Sequence, residues 1–258
     1  MSKRSFVDQM GTSLSLEFPP QRIISLVPSQ TELLADLGLA HRVVGITKFC
    51  IHPHTWFTAK PHVGGTKNFN LEAIDRLKPD LIVGNKEENY REGIETLQKH
   101  YPVWMSDILD LTDALAMIQA LGDITDTATR ADRLAIDIED AFSQLRRQPA
   151  RSALYLIWRK PWMAAGRNTF IDNQLQHIGF QNSITESRYP TLLPEEIAGL
   201  RPDLIFLSSE PYPFREKHAG ELQALCPESK IMLVDGEMFS WYGSRLLQAP
   251  AYFNALTF

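Results

Sequence analysis

Between Asp126 and Gln148 the apolar residues Ala128, Ala131, Leu134, Ala135, Ile138, Ala141, Phe142 and Leu145 recur at three- and four-residue steps. That spacing puts them on one stripe of a helix, with Asp132, Arg133, Asp137, Glu139, Asp140, Gln144 and Arg146 on the other face. The pattern predicts one long helix, capped by Thr125 or Asp126 and stopped before Pro149. On either side the period changes. Residues 13–18 alternate like an edge strand, and short apolar runs at 22–27, 43–46, 81–84, 103–105, 152–157, 204–207 and 230–234 predict buried strands. Helical patterns fall near 31–37, 90–100, 111–121, 169–179, 217–225 and 244–256, with loops at 48–61 and 158–168. Strands alternating with helices predict an α/β fold with parallel sheets.

Glu72-Ala-Ile-Asp-Arg-Leu-Lys-Pro-Asp-Leu-Ile82 precedes the long helix, and Glu195-Glu-Ile-Ala-Gly-Leu-Arg-Pro-Asp-Leu-Ile205 follows it. Glu, Ile, Leu, a basic residue, Pro, Asp, Leu and Ile fall in register. Each copy reads as a short helix, broken by Pro-Asp, that feeds a buried strand. This repeat predicts two Rossmann-like lobes, 1–124 and 149–258, joined by a backbone helix over 125–148.

Of the 258 residues 44% are hydrophobic and 22% charged, with a formal net charge of −5. The values suit a globular protein and argue against nucleic-acid binding, which needs a basic surface. No run approaches the eighteen or so apolar residues of a membrane span, so a membrane-embedded protein is not expected. Lys3-Arg4 is followed by Asp8, Gln9, Gly11 and Thr12, where a signal peptide would be apolar. The chain as written therefore predicts a cytoplasmic location. Cys50 and Cys226 fall in different halves and are expected to remain thiols.

Ligands of open parallel sheets sit beyond the carboxyl ends of the strands. That rule selects Ser29, Gln30, Phe49, Cys50, His52, Asn85 and Lys86 from the first half. From the second it selects Trp158, Arg159, Trp162, Arg167, Glu210, Tyr212, Phe239, Trp241, Tyr242 and Arg245. Rings concentrated in the second half suit a broad, flat, partly apolar ligand, with arginines for its carboxylates or phosphate. Cys50 and His52 are candidate metal ligands, alone or with Glu87 or Glu210, although their spacing matches no standard closed zinc site. Cys50, His52 and Glu88 are the one set that would serve a chelatase-like cytoplasmic enzyme. Nucleotide-binding glycine loops, metalloprotease and nucleophile-elbow motifs are absent, which favours a protein that is not an enzyme and requires no cofactor. Glu72 and Glu195 begin equivalent helices, where each either complements the helix dipole or presents an acidic knob to a partner.

Arg22-Ile-Ile-Ser-Leu-Val-Pro-Ser29 with Thr31-Glu32-Leu-Leu34, Asn70-Leu-Glu-Ala-Ile74 with Pro79-Asp-Leu-Ile82, and Met163-Ala-Ala-Gly-Arg-Asn-Thr-Phe-Ile-Asp172 carry a family resemblance. From about residue 7 to 255 the chain resembles the helical-backbone (class III) substrate-binding proteins of ABC importers, in particular their vitamin B12-binding branch. The resemblance implies two α/β lobes bridged by a rigid helix, with the ligand in the cleft between them. It implies cobalamin, haem, a ferric siderophore or a bare transition-metal ion as ligand, and a periplasmic location. It also implies that Glu72 and Glu195 meet arginines of a membrane permease. The loop Asn85-Lys-Glu-Glu-Asn89 departs from the pattern by lacking a ring to face a corrin.

Overall fold

The computed structural model describes residues 2–258. Their chain divides into two compact units. The first runs through Ile108 and adds Thr112–Glu139 and Tyr242–Arg245; the second comprises Leu109–Leu111, Asp140–Trp241 and Leu246–Phe258.

The first unit opens with a hairpin, β1 (Ser2–Val7) paired antiparallel to β2 (Ser13–Phe18). The alternation of β2 buries Leu14, Leu16 and Phe18 on one face. β1 gives no such signal, because it is largely exposed; the guanidinium of Arg4 lies 3.7 Å from the Phe18 ring centroid. There follow β3 (Ile23–Ser25), α1 (Pro28–Asp36), β4 (Val43–Ile46), α2 (His54–Ala59), α3 (Leu71–Leu77), β5 (Leu81–Asn85), α4 (Arg91–Gln98), β6 (Val103–Ser106) and α5 (Leu111–Ile124). The four strands β4-β3-β5-β6 are all parallel. Because β4 and β5 lie on opposite sides of β3, the loops leaving β3 and β5 diverge, as at the switch point of a doubly wound sheet. Ile24, Leu26, Val63, Ile74, Ile82 and Met105 pack together in its core. α1 begins at Pro28, three residues earlier than the sequence pattern suggests, because proline is well suited to the first helical turn, where a backbone N–H has no partner to lose.

α6 (Ala128–Ser143) belongs to the first unit through Glu139 and to the second from Asp140. It stops short of the predicted Gln148. The N–H of Arg146 goes to Asn254 Oδ1 at 2.8 Å and that of Gln148 to the Ile178 carbonyl at 2.7 Å, so neither continues the helical ladder.

The second unit continues with β7 (Ser152–Trp158), β8 (Trp162–Ala164), α7 (Phe170–Ile178), β9 (Gln181–Asn182), β10 (Thr191–Leu192), α8 (Pro194–Leu200), β11 (Leu204–Ser208), α9 (Glu216–Leu225), β12 (Lys230–Val234), α10 (Gly236–Ser240), a 3-10 turn (Ser244–Leu247, begun in the first unit) and α11 (Ala249–Ala255). β7, β11 and β12 are parallel. β9 pairs in parallel with the start of β7, where β4 would stand beside β3, and β8 and β10 add an antiparallel edge. The stretch expected as a loop after Trp158 therefore contains strand β8. α7 matches its predicted bounds: Thr169 caps it by accepting the Asp172 N–H, and Gly179, at φ +109°, closes it in the left-handed region.

The Pro-Asp steps of the repeat have one job in both units. The basic residue closing α3 and α8, Lys78 or Arg201, is left-handed at φ 46° or 45°. A non-glycine residue there costs about 1–2 kcal/mol. The aspartate that follows offsets it. Asp80 accepts the N–H groups of Gln21 and Arg22, both at 2.7 Å, at the entry to β3. Asp203 accepts the Ser152 N–H at 2.7 Å and its hydroxyl at 2.8 Å, at the entry to β7. These bonds hold the Asp203 carboxyl below the usual carboxylate range. Among the described residues no helix is long and apolar enough to cross a membrane.

Asp80→Ala and Asp203→Ala are each expected to lower unfolding free energy by about 1–2 kcal/mol in urea titrations. Since the folded Asp203 pKa lies below its unfolded value, its contribution is present above the unfolded value and lost as pH falls through the folded one. The Asp203→Ala penalty should accordingly shrink in acid.

Candidate functional site

In the second unit the ends of β7 and β11 present an array of rings. The β7–β8 hairpin sets Trp158 and Trp162 on either side of its turn, and the loop after β11 brings Tyr212 and Phe214 beside them. Trp158 meets Tyr212 edge-on with centroids 5.6 Å apart, and Trp162 lies parallel to Phe214 at 6.1 Å. Tyr212 and Phe214 are 4.8 Å apart. Phe214 is buried in the apolar core of this unit; Trp162 and Tyr212 are half-buried against it, and Trp158 stays 39% exposed. The rings thus have a buried root and an open edge, an arrangement that binds flat apolar surfaces. Arg159 lies 5.6 Å from the Trp162 ring centroid and forms a forked pair with Glu221, both bonds 2.8 Å. Beneath them is His218, buried at the start of α9, 5.4 Å from the Tyr212 ring and 5.5 Å from that of Phe214.

Other residues expected here have different duties. Phe239 is fully buried among Tyr155, Phe206 and Phe253, which makes it core and removes it from the ligand set. Trp241 is also buried, its indole N–H donating to Glu210 at 2.8 Å. Glu210 accepts the Ser240 hydroxyl as well, and burial raises its pKa in spite of the two bonds. A carboxylate with these donors is an anchor for the α10 loop. Arg167 is exposed, with its backbone paired across to residues 186–188.

In the first unit Phe49 is 51% exposed, with the Lys48 ammonium 5.1 Å from its centroid. His52 is half-buried and follows it on the same loop. Cys50 points inward. Its thiol lies 3.0 Å from the Thr31 hydroxyl and 3.1 Å from that of Thr47, and burial pushes its pKa up. A thiol held protonated in the core is poorly suited to ligating metal. Among the described residues no three His, Cys, Asp or Glu side chains converge as a metal cage.

Ser29 and Gln30 occupy the first turn of α1 and are buried; the Gln30 amide donates to Ser106 Oγ at 2.7 Å and to the Gly84 carbonyl. Asn85 is buried too, bonding Ser106 and accepting the N–H groups of Glu87 and Glu88, which shapes the following loop. Lys86 pairs with Asp107 at 2.5 Å. Tyr242 and Arg245 fasten their segment to its neighbours. The Tyr242 hydroxyl donates to Glu88, while Arg245 makes a forked pair with Glu32 at 2.9 and 2.5 Å, both side chains nearly buried. Between them Gly243 packs so closely on α1 that a Cβ would stand 2.6 Å from the Ser29 carbonyl oxygen.

Glu72 and Glu195 are both exposed in the first turns of α3 and α8. The two caps differ. Asn70 accepts the Ala73 N–H in α3, whereas in α8 the Glu196 carboxylate accepts the Leu193 N–H at 2.7 Å. Glu196 is thereby committed locally, and Glu195 is the carboxylate turned outward.

The chain belongs to the periplasmic binding protein family, whose profile matches residues 23–225. It is similar to a vitamin B12-binding protein of Pectobacterium carotovorum, 26% identical over 241 residues that span 89% of this chain and 86% of that protein. An uncharacterized ABC transporter substrate-binding lipoprotein of Bacillus subtilis is 24% identical over 212 residues, 77% of this chain and 67% of that one. In fold it matches a periplasmic haem-binding protein from Pseudomonas aeruginosa with a TM-score of 0.77 and 23% identity, covering 92% of each chain. The family resemblance read from the sequence and the α/β fold class with parallel sheets both stand.

Removing a core ring and removing an open one should have different consequences. Phe239→Ala is expected to cost about 3–5 kcal/mol of unfolding free energy, and Trp158→Ala less than about 1 kcal/mol, measured by urea denaturation.

Proposed function

We propose that the protein is the substrate-binding receptor of an ABC-type importer and takes a flat metal chelate, with a corrinoid as the first candidate and haem or a ferric siderophore after it. The observation that carries this reading is the open ring array of Trp158, Trp162 and Tyr212, rooted in a buried core and bordered by Arg159. Half-exposed rings fixed in a rigid frame bind a large flat ligand without much loss of side-chain freedom. The relatives support the same class: one is named for vitamin B12, another for haem, a third as an ABC transporter substrate-binding lipoprotein. On this reading the protein is not an enzyme and needs no cofactor, and it works on the outer side of the inner membrane. Glu72 and Glu195, exposed in equivalent places of the repeat, are its contacts to basic residues of the permease.

Titration with cyanocobalamin, haemin and ferric siderophores, followed by tryptophan fluorescence, tests the ligand. At least one is expected to quench at micromolar concentration, and Trp158→Ala or Tyr212→Ala to weaken that binding by about tenfold. Absence of quenching by all of them would remove the reading. Glu72→Ala and Glu195→Ala should leave the affinity unchanged while lowering ligand uptake in cells by about tenfold or more.

A further inference from the structure

The ring array contains one imidazole that the ligand reading does not use. His218 is 3% exposed and takes the third helical position of α9. Its Nδ1 accepts the backbone N–H of Arg215 at 2.9 Å, so the proton of the neutral ring is on Nε2. Nε2 lies 3.4 Å from the Tyr212 hydroxyl, to which it donates. Tyr212 in turn sets its ring edge-on against Trp158, with centroids 5.6 Å apart.

We infer that His218 is the positioning residue of the array: while its ring is neutral the Arg215 N–H pins it in place under Tyr212, and protonation at Nδ1 breaks that pin and frees the ring together with the Tyr212 it positions beside Trp158. The inference rests on the proposed ligand reading and adds an acid-sensitive hold to the same site.

The charged groups facing the imidazole are Lys217 and Arg215 beside it, Arg159 from the β7–β8 hairpin, and Glu221 on the next turn of α9. Burial disfavours the imidazolium first, and the three cations outweigh the one carboxylate, so the pKa lies below the ordinary value of 6.5. The neutral ring is therefore the form the folded protein holds at neutral pH. A proton on Nδ1 would face the Arg215 N–H donor to donor, and that bond would be lost. Because the folded pKa is the lower one, the stabilisation is complete above the unfolded value and disappears as pH falls through the folded one.

The test uses the intact protein, its His218→Gln and His218→Ala variants, and cyanocobalamin and haemin as probes. Glutamine can accept from Arg215 and donate to Tyr212 but does not titrate. Wild-type affinity for the chelate that quenches should hold at neutral pH and fall by about tenfold, reversibly, as pH is lowered through the folded pKa of His218, below its ordinary value. His218→Gln should bind within about threefold of wild type at neutral pH and lose that pH dependence, while His218→Ala should be weakened at neutral pH already. Nitrogen-15 spectra of the wild-type imidazole, which need neither ligand nor variant, should show the Nε2–H tautomer and protonation only below the ordinary range. Parallel pH profiles for wild type and His218→Gln, or an Nδ1–H tautomer, would overturn the assignment. If neither chelate quenches at any pH while the spectra show the expected tautomer, the ligand reading fails and the His218–Tyr212 hold survives it.

Discussion

Each unit of this protein depends on one carboxylate at the foot of its sheet. Asp80 and Asp203 follow a helix that ends in the left-handed region and is cut by proline, and each accepts donors from the residues that open the central strand. The bond joins three pieces at once: the end of a helix, the start of its own strand and the start of the neighbouring strand. It ties the amino ends of two adjacent parallel strands together in each unit.

From that shared foundation the two units diverge. In the first, the loops at the carboxyl ends turn inward: Gln30 and Asn85 both bond Ser106, Cys50 is covered, and the 242–245 segment is fastened by Glu88 and Glu32. Phe49 is the large ring left open there. In the second, an inserted antiparallel strand, β8, carries Trp162 into the array and turns Trp158 outward. The extra strand thus converts a plain doubly wound edge into a platform of rings. Buried carboxylate contacts serve as fasteners in both units, while chemistry for a ligand is left to apolar edges and to an arginine already paired with Glu221.

Much of this architecture is legible in the sequence because it follows from period and punctuation. The two copies around Pro79 and Pro202, the parallel strands and the caps of α7 all arise from neighbours within a few residues. What escapes is long-range. Strands β1 and β8 carry no clean alternation, and α6 ends early because of Asn254, more than a hundred residues away. Composition showed that rings cluster in the second half, but not which of them pack inward. Phe239 and Trp241 resemble Trp158 in a loop count, and the difference is whether a neighbouring element covers them. Arg245 reads as an open cation until Glu32 is placed beside it. For His218 the position six residues beyond Tyr212, at the third place of a new helix, is the one local sign of its contact.

A metal chelate seated on the ring array should travel with the protein through purification. Native mass spectrometry of the protein purified from its own source addresses it most directly. A stoichiometric, non-covalent adduct is expected that leaves on mild denaturation as a flat metal chelate and is absent from a Trp158→Ala, Tyr212→Ala double variant prepared in parallel. An adduct retained undiminished by that variant, or a ligand without metal or extended ring system, would contradict that expectation.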